Sequence, residues 1–443
     1  MKKYEAYKNS GIEWIGQIPE GWSVVPLKYN LSLKGRIGWN GLKSEEFQEK
    51  SYAYLVTGQD FNSDVVNWEK CYQINKERYD EDPFIQLENG DLLVTKDGTI
   101  GKVAKVANLD KPACLNSGIF VVKQTKGVFE QNYLYWVLVS NQLKEFVGFN
   151  STGSTIAHLY QNVFENMPLT VPPLTEQKAI ASYLDYKVGQ IDASISAINT
   201  QIDDLKAYRQ SIISEAVTKG LDPDVPMKDS GIEWIGKIPE GWKYQKTKYL
   251  FDIVSGTTPD SSNADYWDGD IPWITPADFK TEDHFVSEGK RHLTQKGYDS
   301  CGTKLVPQGS IIFSKRAPIG SVVLASNELC TNQGCLSCVS KENAESRYFY
   351  YAMSIFTDAY NMLGDGTTFK EISATTFSSF ELPYPSKDEQ LSIANYLDAK
   401  TSKIESAITS LEAQRDDLNA LKQSIISEAV TGKIDVRDWK PNK

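Results

Sequence analysis

Between positions 176 and 218 an apolar stripe runs Leu184, Val188, Ile191, Ile195, Ile198, Ile202, Leu205 and Ile212. The steps alternate four and three, until a last step of seven passes over Arg209. Positions 389–431 repeat the pattern with Leu397, Thr401, Ile404, Ile408, Leu411, Arg415, Leu418 and Ile425, passing over Lys422. This is a heptad seam. Neither stretch contains proline, and Gly189 is the one glycine. The spacing predicts two helices of about 43 residues, each roughly 65 Å long at 1.5 Å per residue. A lone amphipathic rod of that length leaves its stripe bare, and the nearest cover is the other copy. Proline-rich VPPLTEQ and PYPSKDEQ precede the helices, with Thr175 and Ser386 near the expected N-caps.

The remaining blocks, 25–165 and 245–378, have a different period. Short β-branched or aromatic runs (YAYLV 52–56, DLLVT 91–95, GIFVV 118–122, SIIFS 310–314) alternate with Gly, Asn and Asp turns. One helix is predicted late in each block, at 132–147 and 346–360. Two mixed α/β modules follow from this pattern.

The chain repeats itself. KNSGIEWIGQIPEGW (8–22) returns as KDSGIEWIGKIPEGW (228–242), and 24 of 43 positions are identical between the two helical stretches. A repeat of this period means two equivalent halves. The blocks between the repeats have diverged and share only faint marks. GDLLVTKDGTIG (90–101) lies against GSIIFSKRAPIG (309–320), and GSTIAHL (153–159) against GTTFKEI (366–372). Unlike modules on one duplicated frame are the design of something that reads two targets. KGLDPDVPMKDSG (219–231) reads as a connector, and the tail 431–443 occupies its place in the second copy. The expected molecule is quasi-circular.

The GIEWIG…IPEGW opening and the repeated helices, the first beginning PPLTEQKAIASYLD, resemble the specificity subunit of type I restriction-modification systems. The resemblance spans the chain. It implies an α+β protein with a pseudo-two-fold repeat, whose two target-recognition domains are joined by two long helices packed as an antiparallel coiled coil. The expected segments are domain 1 (1–170), first helix (171–218), connector (219–230), domain 2 (231–383), second helix (384–431) and tail (432–443). Each domain is implied to read half of a bipartite site in double-stranded DNA. The helices are implied to set the spacing and to dock two modification (methyltransferase) subunits and, through them, restriction (helicase-nuclease) subunits. S-adenosylmethionine, ATP and magnesium are expected on those partners, with no cofactor on this chain.

Bulk properties fit a soluble globular chain. Hydrophobic residues make up 40% and charged residues 24%. No apolar run reaches a membrane span, and six cysteines are too few for a disulfide scaffold, so a reduced, cytoplasmic setting without membrane contact is expected. Net charge is −11, which argues against nucleic-acid binding through the overall field but leaves room for local basic faces.

Candidate chemistry is sparse. GIEWIGK (231–237) begins like a phosphate-binding loop, but Ile238 stands where a magnesium-ligating hydroxyl belongs, and Gln17 replaces the lysine in the first copy. The reading preferred is a packing motif with Trp14, Trp22, Trp234 and Trp242 as anchors. Cys330, Cys335 and Cys338 include a C-x-x-C spacing, but Cys335 aligns with Ile119 and Cys338 with Val122 inside a strand, so small buried hydrophobes are expected. No catalytic or metal set recurs in both halves, and His158 aligns with Glu371.

The binding signal is stronger. Trp22–Ser44 contains no acid but carries Lys28, Lys34, Arg36, Trp39 and Lys43; 303–327 is also acid-free, with Lys304, Lys315 and Arg316. Lysine and arginine neutralise phosphates, and arginine reads guanine. Candidate DNA contacts are therefore Lys34, Arg36, Trp39, Lys43, Lys96, Thr99, Lys315 and Arg316. Ser154, Thr155, Thr257, Thr258, Thr367 and Thr368 join them, in glycine-flanked loops suited to close phosphate approach. The alternative is a non-catalytic coiled-coil scaffold whose modules bind proteins or glycans.

Overall fold

The computed structural model describes residues 2–36, 42–62, 64–150, 158–279, 284–316, 318–365 and 370–441. The chain forms two compact units. One comprises residues 1–199 and 413–443, the other 200–412. Each unit thus holds one α/β module, the start of one long helix and the end of the other.

In unit 1 the module is built on a six-stranded sheet. Its strands run in the order Leu31–Lys34, Ile119–Gln124, Leu92–Thr95, Val103–Lys105, Val65–Val66 and Phe61–Asn62. A second sheet orders Ala113–Leu115, Ala53–Val56 and Tyr72–Ile74. In unit 2 the main sheet orders Phe251–Ser255, Cys335–Ser340, Ile311–Ser314, Val322–Ala325 and Phe285–Val286. Its companion orders Arg291–Leu293, Trp267–Ile274 and Cys330–Thr331. Pairing registers agree between the modules: Ile119 lies opposite Thr95 as Cys335 lies opposite Ser314. The faint marks in the sequence are therefore one fold with rewritten loops.

Cys335 and Cys338 sit fully buried in a central strand, where burial pushes both thiols far above their ordinary range. Burial also pushes Cys330 up to about 12. All three pack as small hydrophobes.

The long helices span Leu174–Lys219 and Lys387–Val430. Their seam is buried where the heptad placed it, at Leu184, Val188, Ile191, Ile202 and Ile212, and at Leu397, Thr401, Ile404, Ile408 and Ile425. Each buried aliphatic side chain contributes about 1.5–3 kcal/mol. Within each unit the two helix segments run antiparallel. Two of the charged residues along the seam find partners on the facing helix: Lys422 Nζ lies 2.6 Å from Asp192 in unit 1, and Arg209 Nη1 lies 3.4 Å from Glu405 in unit 2, whereas Arg415 Nη2 lies 3.2 Å from Asp416 of its own helix.

Helix ends and breaks differ locally from expectation. The first helix begins at Leu174, so Thr175 is inside it; the Pro173 carbonyl accepts from the N–H groups of Glu176 and Gln177 at 2.9 and 3.0 Å. Ser386 does cap the second helix, its Oγ accepting from Glu389 N at 3.3 Å. The late helix of each module is two helices. In unit 1, Gln131–Val139 and Asn141–Asn150 are separated by Ser140, whose extended backbone is held by its hydroxyl on the Val137 carbonyl at 2.6 Å. In unit 2, Ser346–Ser354 and Thr357–Leu363 are separated by Ile355 and Phe356, neither of which is extended as Ser140 is.

The duplicated openings fasten each module to its helix. Trp22 Nε1 donates to Glu176 at 2.8 Å and Trp242 Nε1 to Glu389 at 2.9 Å. Both rings are buried, whereas Trp234 is exposed and stacks on Phe380. After Gly236 (φ 70°) the chain enters the strand Lys237–Pro239 and not a helix, so GIEWIGK is a turn and lacks the helix N-terminus that a phosphate loop needs. The tail does take the connector's place. Gly432 (φ 69°) lies against Pro19 and Trp22, and Gly220 (φ 79°) against Pro239 and Trp242.

Candidate nucleic-acid interface

The best-matched feature of the two modules is a hairpin tip. In unit 1 it joins Leu92–Thr95 to Val103–Lys105, and in unit 2 it joins Ile311–Ser314 to Val322–Ala325. Lys96 N donates to Gly118 O at 2.9 Å, and Lys315 N to Gly334 O at 2.9 Å. A returning segment then pairs with each lysine carbonyl, Leu159 N with Lys96 O at 2.9 Å and Ile372 N with Lys315 O at 3.0 Å. The backbone frame is one; the side chains on it are not.

In unit 1 the tip carries Asp97, whose Oδ1 contacts His158 Nδ1, and the imidazole lies edge-on to Tyr160 with ring centroids 4.5 Å apart. In unit 2 the same places hold Arg316 and Glu371. Glu371 Oε1 lies 2.7 Å from Lys315 Nζ, and Oε2 lies 2.8 Å from Arg316 Nε. Burial works against the Glu371 charge, but the hydrogen bonds and charges of Lys315 and Arg316 outweigh it and hold its carboxyl below the ordinary range. Lys96, by contrast, rests over the Phe120 ring at 4.9 Å, and burial lowers its ammonium below the usual lysine value.

Thr99 is exposed at the first tip, its carbonyl accepting from Thr95 Oγ1 at 2.5 Å. A cavity of about 500 Å³ opens beside it, lined in part by Phe47, Gln59, Tyr72, Asp97 and Asn116. The Thr57–Asp60 turn at this cavity matches the Thr275–Asp278 turn of unit 2. There Pro276 replaces Gly58 and crowds Gly334, so the two modules present different reliefs at one place.

The other expected contacts fall apart from this cluster or are placed differently. Lys34 is exposed, its Nζ 5.4 Å from the Phe84 ring centroid, and Lys43 is exposed with its N–H on Glu46 at 2.7 Å. Arg36 is not the surface cation expected: it is 1% exposed. The chain turns inward at Gly35, whose missing Cβ leaves room for Phe120 and the Ile119 carbonyl. Arg36 Nε donates to Leu115 O at 3.0 Å and Nη2 to Cys114 Sγ at 3.5 Å; Nη1 is buried with no partner among the described residues. The close approach offered by Gly256 is used inside the fold, against the carbonyls of Thr331 and Asn332. Thr257 N donates to Thr331 O at 3.0 Å, and Thr258 Oγ1 bonds Gln333. Trp39, Ser154, Thr155, Thr367 and Thr368 lie outside the described residues.

Sequence reasoning passed over Asp97, His158 and Glu371 as site residues. The signal was the alignment of His158 on Glu371, one residue able to donate to an acid and one that is an acid, with their partners exchanged likewise.

Comparison with known proteins gives this frame its context. The family model for the type I restriction modification DNA specificity domain matches twice, at residues 38–204 and 239–413, one match per module and helix. The chain belongs to the type I restriction-modification specificity family. The MjaVIII specificity subunit of Methanocaldococcus jannaschii is 26% identical over 438 residues, 95% of both chains. The MjaIX specificity subunit of the same organism is 39% identical over 166 residues, which is 37% of this chain and 38% of that one. A solved chain, from work on complex assembly and conformational transition of a type I restriction-modification system, superposes with a TM-score of 0.72 at 18% identity. It covers 94% of this chain and 99% of that one, a likeness of fold. Among the described residues no helix is long and apolar enough to cross a membrane.

Proposed function

We propose that this member of the specificity family reads a bipartite site in duplex DNA, one half with each unit, and performs no chemistry of its own. The observation that carries this reading is the hairpin tip: the same backbone hydrogen bonds hold a lysine in both modules, while the residues beside it are exchanged in charge. A shared frame with unlike side chains suits two different half-sites. Basic residues near the tips supply sequence-independent attraction to phosphates, and the exchanged residues supply discrimination.

The chain works as one subunit of a cytoplasmic complex. The outer faces of the paired helices dock two modification subunits, which bring S-adenosylmethionine, and through them the restriction subunits, which bring ATP and magnesium. This division of labour rests on family membership and on the lack of a phosphate-loop helix after GIEWIGK.

The test is selection of binding sites from a random duplex pool by the full chain, repeated over a range of salt. Two short sequences at a fixed gap, with affinity falling steeply as salt rises, are expected. Weak, salt-insensitive binding without a selected site would favour a scaffold for proteins or glycans.

A further inference from the structure

Arg316 is held by one edge of its guanidinium. Nε lies 2.8 Å from Glu371 Oε2, and among the described residues neither Nη1 nor Nη2 has a partner. The side chain is 47% exposed. The support beneath it is hydrogen-bonded. The Glu371 backbone exchanges two hydrogen bonds of 3.0 Å with Asp365, and Ser314 Oγ donates to the Arg316 carbonyl at 2.8 Å. Lys315 occupies the other carboxylate oxygen and is only 16% exposed, which withdraws it from the surface. Two cations share one anion, so the cluster keeps a net positive charge.

We propose that Arg316 reads a guanine in the half-site of unit 2, its two Nη groups donating to O6 and N7 in the major groove, with Glu371 as a positioning residue. The inference rests on the reading of this chain as a DNA-specificity subunit and assigns a base to one of its residues. The guanidinium fork matches the two acceptors of guanine, and no other base presents that pair in the major groove. A surface arginine ordinarily loses side-chain freedom on binding; here Glu371 has already fixed the orientation, which lowers that cost. A guanidinium serving structure alone would commonly meet a carboxylate through two parallel bonds. Arg316 spends one bond on Glu371 and leaves its Nη groups open. Unit 1 sets Asp97, an acceptor, at the same place, so the two half-sites are read differently there.

The experiment is base-by-base competition on the selected duplex with the full chain and its variants Arg316→Lys, Arg316→Ala and Glu371→Gln. Arg316→Lys keeps the charge and removes the fork. It is expected to lose preference for guanine at one position of one half-site by about ten- to a hundred-fold, with the salt slope unchanged. Arg316→Ala should lose the same preference. Glu371→Gln should show a smaller loss at that same position, which a merely structural role would not confine to one base. The remaining positions of the same half-site, still read normally, report that unit 2 of each variant is folded. Retention of every base preference by Arg316→Lys would overturn the assignment. So would a loss spread evenly over all positions with a shallower salt slope in Arg316→Ala, the mark of a phosphate contact. Failure of the wild-type chain to select any site would instead overturn the specificity reading itself.

Discussion

Trp136 and Tyr351 stand at the same place in the two modules, and each donates a hydrogen bond to the same repeated aspartate of a long helix. Trp136 Nε1 reaches Asp185 Oδ1 at 2.9 Å, and Tyr351 OH reaches Asp398 Oδ1 at 2.8 Å. The aspartate belongs to the duplicated frame and the aromatic to the rewritten block. The module has changed its residue and kept its bond. Asp185→Ala should leave the nearly buried Trp136 Nε1 without a partner and cost about 1–3 kcal/mol of unfolding free energy. Chemical denaturation of the variant against the wild type checks this, and Asp185→Asn should recover part of the loss.

The tail of unit 1 carries a buried, ion-paired carboxylate. Asp435, its side chain almost wholly buried, accepts from Arg437 Nε at 2.9 Å and Nη2 at 2.8 Å, and its N–H donates to Lys2 O at 2.9 Å. The Arg437 hydrogen bond, working against burial, holds its carboxyl below the ordinary range. A depressed folded pKa contributes stability that is present above the unfolded value, about 3.9, and is lost as pH falls through the folded value. Asp435→Asn should therefore be less stable than wild type at pH 7 by about 1–3 kcal/mol. That difference should shrink below about pH 4. Denaturant melts of both proteins at the two pH values measure it; an equal difference at both would contradict the assignment.

The purified chain should neither methylate nor cut DNA and should bind neither S-adenosylmethionine nor ATP. Calorimetric titration with each cofactor, and a methyl-transfer assay free of partner protein, check this directly. Methyl transfer by the isolated chain would contradict the proposed non-catalytic role.

Much of the architecture was legible in the residues. The duplicated openings and seam gave two equivalent halves, and Ile119 and Cys335 proved to share a strand register because a buried strand tolerates either residue. Burial of a single charged side chain was not legible. Arg36 lies in an acid-free run that reads as surface, and only the turn at Gly35 carries it inward. The ion pairs at the hairpin tips were hidden for another reason. Arg316 and Glu371 are 55 residues apart, and a pairing over that distance exists only once the returning segment has bridged to the hairpin. Contacts along one helix follow a fixed period; contacts between loops do not.

The helices should act as the spacer. A heptad inserted after Ile198 and another after Leu411 preserves the seam and lengthens the helical connection by roughly 10 Å. The preferred gap between half-sites should grow by about three base pairs. Affinity should fall, because the duplex also rotates over that length. Site selection from random-gap DNA reads the result; an unchanged gap with both half-sites still read would show that the helices do not measure it.

The central claim is that each unit reads its own half of the site, and exchange of one rewritten block tests it most directly. Residues 245–378 are replaced by the corresponding block of a relative with a different site, leaving both long helices and residues 25–165 intact. Binding sites are then selected from random duplex DNA. The account predicts that one half of the selected sequence changes to the relative's and the other half stays as in the wild type. A change in both halves at once, or in neither, would contradict it.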